Sequence, residues 1–190
     1  MAVNNGKKTI LLLSDDLRMS SGVAVMSREL VLSTAHKYNW VQCAGAITHP
    51  EKGKVFDLSQ STNEMKNLKD SYVKLYPVDG YGNEQILSQI MAMEKPDAIL
   101  HFTDPRFWGW LYALERQIRG QGIPITYLNI WDCTPHPMYN RSFYESCDCL
   151  FSISKQTYNI NKWVLGPENC CTLTGMFDKD GEFISGQIKD

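Results

Sequence analysis

Residues 9–30 read TILLLSDDLRMSSGVAVMSREL, and the order of the parts within this stretch decides the fold. The run Thr9–Ser14 is apolar at almost every position, the pattern of a strand covered on both faces. A polar loop begins at Asp15. From Gly22 onward Val23, Met26, Leu30 and Val31, then Thr34, recur at helical spacing, which predicts a helix over Gly22–Tyr38. A doubly buried strand, a short loop and a helix make the first unit of a parallel sheet.

The alternation continues outward from that unit. Strands are predicted at Trp40–Ile47, Lys54–Leu58, Tyr72–Val78, Asp97–Thr103, Pro124–Ile130, Cys149–Ile153 and Cys170–Thr174. Helices are predicted at Gly82–Met93, Phe107–Arg119, Tyr139–Ser146 and Lys155–Val164, while Thr48–Ser71 is polar and less regular. Such alternation specifies a doubly wound, mainly parallel Rossmann-like α/β sheet with helices on both faces and right-handed crossovers. Residues 1–8 read as a polar extension, 9–175 as one domain and 176–190 as a short tail or the start of a linker. The tail has too few apolar residues for another strand–helix unit. Its Asp178-x-Asp180-Gly181 opens like a calcium loop but lacks the later oxygen ligands, so a β-turn is expected there.

Composition narrows the classes of function. With 19 Lys and Arg against 21 Asp and Glu the net charge is -2, which disfavours duplex nucleic acid as a partner. The polar start MAVNNGKK carries no signal-peptide pattern, and no apolar run approaches a bilayer span. The 6 cysteines form no Cys-x-x-Cys, and the 4 histidines have no zinc-ligand spacing. A cytoplasmic protein with reduced thiols, no bound metal and no cofactor is the resulting expectation.

In a wound sheet, ligands bind at the carboxyl ends of the strands, so the loops after the strands hold the candidates. After the first strand, Ser21 and Gly22 open a helix; Ser suits a cap, while exposed amides beside Gly suit a phosphate. After Asp97–Thr103 comes HFTDPRFWGW, residues 101–110. There Asp104 and Pro105 can start a helix, and His101, Asp104, Arg106 and the rings of Phe107, Trp108 and Trp110 can contact a sugar or base. Asp132 and His136 lie on the proline-punctuated loop WDCTPHP, residues 131–137. They serve either acid–base work and hydroxyl binding or a locally bonded turn. Ser154 reads as a helix cap. Gly-x-Ser-x-Gly, the P-loop and G-x-G-x-x-G are absent, which leaves hydrolase, Walker-type and dinucleotide functions without support.

Four stretches carry a family resemblance: LLLSDDLRMSSGVAVMSREL, DAILHFTDP, NIWDCTPH and CDCLFSISKQTYNI. Together, over about Thr9 to Gly175, they resemble the N-terminal, acceptor-side domain of GT-B glycosyltransferases, in particular the retaining, glycogen-synthase-like group of the family 1/4 type. Trp131 stands where that family commonly has His, and Thr103 where a second His is frequent, leaving His101 as the candidate histidine. The resemblance implies transfer of a sugar from a nucleotide-sugar to a hydroxyl acceptor, with no metal needed for catalysis. It implies catalytic roles for His101, Asp104 and Asp132, donor-phosphate contacts at Ser21 and Gly22, and acceptor contacts at Arg106, Trp108 and His136. The donor-binding half of such an enzyme is not within these residues. The resemblance therefore implies a chain inactive alone, whose partners are the two substrates and either a separate C-terminal domain or a second copy on the open cleft face. The alternative is a non-catalytic sugar- or nucleotide-binding or assembly domain.

Overall fold

Alternate residues of the central strands pack into different cores, which is what a sheet buried on both faces requires. The computed structural model describes residues 5–166 and the backbone of 173–175. Cys170, Cys171 and the expected Asp178–Gly181 turn lie outside the described residues. In β1 (Lys8–Asp15), Leu11 and Leu13 enter one core and Leu12 the other, all with no exposed surface. The remaining strands are β2 (Tyr38–Gly45), β3 (Phe56–Asp57), β4 (Val73–Pro77), β5 (Ala98–His101), β6 (Ile125–Asn129), β7 (Cys149–Ser152) and β8 (Leu173–Gly175). They form one 8-stranded sheet in the order β3-β4-β2-β1-β5-β6-β7-β8. Among the described strands the two-residue β3 pairs antiparallel and the other strand pairs are parallel. The chain is thus a single Rossmann-like α/β domain, as its alternation predicts.

The helices are α1 (Gly22–Thr34), α2 (Ser59–Lys66), α3 (Glu84–Glu94), α4 (Gly109–Ala113), α5 (Glu115–Arg119), α6 (Arg141–Glu145) and α7 (Lys155–Leu165). Several bounds differ from the sequence expectation for local reasons. Helix α1 stops at Thr34, whose hydroxyl bonds back to the Leu30 carbonyl, and Tyr38 is drawn into the sheet opposite Lys8. The expected helix Phe107–Arg119 is instead a 3-10 turn over Pro105–Trp108 followed by α4 and α5, which break at Leu114. Helix α2, inside the polar stretch, buries only Thr62 and so presents no apolar stripe to read.

Handedness decides which face each helix covers. The chain moves from β1 to β2 in one direction, placing α1 on one face, and from β4 through β5 to β8 in the other. Right-handed crossovers then put α3 to α7 on the opposite face, where Leu87, Ile90, Leu111, Ile118, Tyr144 and Val164 are buried. On the α1 face, the described residues leave a groove of about 710 Å³ over β5 to β7, lined by Ile10, Leu30, Trp40, Leu100, Leu128 and Phe151. This apolar surface lies on the flat of the sheet and reaches the amino ends of the strands at Lys8, Ala98 and Pro124, away from their carboxyl ends. No helix among the described residues is long and apolar enough to cross a membrane.

Candidate functional site

Strand order reverses at β1, whose neighbours are β2 and β5, so the crevice outside the carboxyl ends of β1 and β5 is the topological switch point. Asp15 is the last residue of β1. The hydroxyl of Ser21 donates to Asp15 Oδ2 at 2.7 Å and accepts from the Ala24 amide at 3.1 Å, capping α1. The group expected to receive a phosphate is therefore already engaged, on one side by a carboxylate. Gly22 beside it is exposed, and a Cβ built there meets nothing within 4 Å.

From β5, the chain delivers His101, Thr103 and Asp104. His101 has no exposed surface. It stacks on Tyr127 with centroids 4.7 Å apart, meets Trp108 edge-on, and its Nδ1 lies 3.1 Å from the Tyr112 hydroxyl. Burial lowers its pKa from 6.5 to about 3, against the opposing charge of Asp104, so the ring is neutral. Trp108 is equally buried and donates its indole N–H to Thr103 Oγ1 at 2.6 Å. Both residues lie in the floor beneath the crevice; neither presents surface to a ligand.

Asp104 caps the 3-10 turn by accepting from the Arg106 amide, and its carboxylate pairs with the Arg106 guanidinium at 2.5 Å. Burial would raise its pKa, but the Arg106 side chain and amide outweigh burial and lower it. Arg106 also lies over the Tyr139 ring at 5.0 Å, and Tyr139 meets Trp131 edge-on at 5.9 Å. These contacts join the β5 loop to the β6 loop. Asp132 is exposed on that second loop, with its backbone carbonyl held by Gln156. His136 stacks on the exposed Trp163 at 5.6 Å, and its Nδ1 is buried without a partner. Ser154 caps α7, as expected.

Two groups at the crevice escape a sequence reading. Tyr81, on the loop before α3, stacks on Phe107 with centroids 4.8 Å apart and planes 3° from parallel. Burial raises the Tyr81 pKa, and the charges of Asp15 and Asp104 raise it further; the Tyr81 ring lies against Gly45, the strand partner of Asp15. Phe107 remains 53% exposed and offers its outer face to solvent.

The second group is a cluster around Asp16, which is 1% exposed. The His49 ring accepts at Nδ1 from the Glu51 amide, so its Nε2 carries the proton and donates to Asp16 at 2.9 Å. Arg18 pairs with Asp16 at 2.7 Å and with Glu51 at 3.0 Å. Burial opposes ionisation of Asp16, yet the bonds from Arg18 and His49 lower its pKa overall. The cluster ties the loop after β2 to the end of β1. The adjacent pair Asp15–Asp16 is the one signal in the sequence; His49 sits in a polar stretch with nothing to mark it.

Among the described residues the cysteines take no part in the crevice. Cys43 and Cys147 are buried free thiols whose pKa burial pushes up to about 12, Cys149 is partly buried and Cys133 is exposed. Among the described residues, no 3 His, Cys, Asp or Glu side chains gather as metal ligands would. No protein-family model matches the chain, and no curated protein matches it in sequence. Fold and geometry thus define a Rossmann-like domain whose ring faces and carboxylates gather at the β1/β5 switch point.

Proposed function

We propose that this chain is the acceptor-side domain of a GT-B-type glycosyltransferase, moving a sugar from a nucleotide-sugar to a hydroxyl acceptor once a donor-binding half closes over it. One observation carries the reading: two stretches that resemble the family, after β1 and after β5, meet at the switch point around Tyr81 and the outward face of Phe107. Carboxylates beside a flat aromatic face suit a hydroxyl-rich ring. In this reading Asp104 faces the transferred sugar, and Asp132 and His136 on the next loop meet the acceptor with Arg106. His101 and Trp108 hold the floor from beneath. Closure of the second half excludes water from the cleft.

Calorimetric titration with a panel of nucleotide-sugars tests this. Weak binding is expected for the native chain and none for Gly22→Leu, whose added side chain points into open space and leaves stability within about 0.5 kcal/mol of native. Turnover by the chain alone should not exceed a trace. Binding indifferent to bulk at Gly22, or robust turnover without a second half, would overturn the reading.

A second reading, a non-catalytic assembly domain, is favoured by the apolar groove over β5 to β7. Sedimentation across a range of concentrations separates the two. Concentration-dependent association abolished by Leu128→Asp in the groove, together with no nucleotide-sugar binding, selects assembly.

A further inference from the structure

We infer that Asp15 is a ligand-binding carboxylate, and that what it takes at the end of β1 is an uncharged sugar ring presenting hydroxyl donors, not a phosphate. The inference rests on the glycosyl-transfer reading and names which part of the substrate occupies this side of the crevice.

Asp15 is 7% exposed, and its two oxygens are unequal. Oδ2 accepts from the Ser21 hydroxyl. Oδ1 is buried and has no hydrogen-bond partner in the described structure. A buried carboxylate oxygen without a donor is costly, and native structures keep such atoms where a ligand or water supplies one. A carboxylate oxygen is an acceptor, so a hydrogen-bonding partner at Oδ1 must bring a hydrogen.

Charge decides what kind of donor fits. Asp104 is paired with Arg106, and Asp16 with Arg18 and His49. Among the described residues the Asp15 side chain is bonded only by the neutral Ser21 hydroxyl, and no basic side chain pairs with it. The start of α1, which by itself would attract an anion, already has this carboxylate against its cap. A phosphate placed there would meet like charge across a partly dry site, whereas a neutral sugar hydroxyl would donate to the carboxylate without that repulsion. Phe107, stacked on Tyr81, supplies the face on which a sugar ring lies. The phosphate contacts expected at Ser21 and Gly22 accordingly give way to sugar contacts.

The test follows the backbone amides of Val23 and Ala24 by NMR while the full chain is titrated separately with a panel of methyl glycosides, glucose 1-phosphate and inorganic phosphate. A methyl glycoside should shift these amides in the native chain and inorganic phosphate should not. Asp15→Asn keeps the shape and the bond to Ser21; it should weaken glycoside binding about tenfold or more and let inorganic phosphate bind. Phe107→Ala, at an exposed ring, should weaken glycosides several-fold without altering the fold. Native binding of inorganic phosphate at these amides, or glycoside affinity unchanged in Asp15→Asn, overturns the inference while leaving the glycosyl-transfer reading intact. Absence of any glycoside or glucose 1-phosphate binding, in chains whose spectra show a native fold, overturns both.

Discussion

Trp108→Ala is expected to lower the unfolding free energy by about 3–5 kcal/mol. The ring has no exposed surface and sits where three elements converge. It contacts His101 from β5, Tyr81 from the loop before α3, and Trp110 at centroid distances of 5.5, 5.2 and 5.6 Å. Truncation opens a void among rings that cannot collapse into it and leaves the buried Thr103 hydroxyl without its 2.6 Å donor. Urea unfolding measures the effect directly. Trp108→Phe separates its two parts: it retains most of the packing and loses the hydrogen bond, so about 1–2 kcal/mol is expected. A Trp108→Ala loss below about 1 kcal/mol would mean that the crevice floor is not packed as described. The consequence for function is direct, because Phe107 and Asp104 are positioned by the turn that Trp108 anchors.

The second large effect is on the pH dependence of stability, and His101 sets it. Its pKa in the folded chain is about 3, lowered by burial from an ordinary 6.5. Below 6.5 the unfolded chain binds a proton that the folded chain refuses, so protonation favours unfolding. The stability contributed by neutral His101 is complete above pH 6.5 and is lost as the pH falls toward 3, at about 1.4 kcal/mol per unit. Asp16, Asp97 and Asp104, whose pKa values lie below 3.8, add acid sensitivity only at the lower end of that range. Urea titrations of the native chain and His101→Asn between pH 7 and about 4.5 should therefore diverge, the native curve being steeper by one proton. Parallel curves would show that His101 is not held neutral in the interior.

The behaviour of His101 marks the boundary of what a linear reading reaches. DAILHFTDP announces a strand running into a helix start, and the structure has both. The same letters do not say whether a histidine at a strand's end rises into the crevice or turns inward. Tyr127 from the neighbouring strand and Tyr112 from α4 decide that, and both are brought there by long-range packing. Asp15 is the converse case. The sequence marks it only as half of an adjacent acidic pair, and its significance comes from one oxygen left without a donor after folding. Tyr81 acquires a role only because β4 and β5 lie on opposite sides of β1 and β2, which closes its loop against Phe107.

What the sequence by itself determined is the class of architecture and the places where chemistry can sit. Runs such as Thr9–Ser14 carry their own burial pattern, and caps such as Ser21, Asp104 and Ser154 need only residues within 3 positions. Elements lacking an apolar stripe, such as α2, and breaks within a continuous pattern, such as the one at Leu114, are not encoded locally and escaped it. Tertiary structure alone decided the strand order, the apolar groove among the described residues, the inward turn of His101 and Trp108, and the gathering of Asp15, Tyr81 and Asp104. The physical reason is range. Periodicity and capping act over a few residues of chain, whereas a binding crevice is made of groups distant in sequence whose burial and charge exist only once the sheet is assembled.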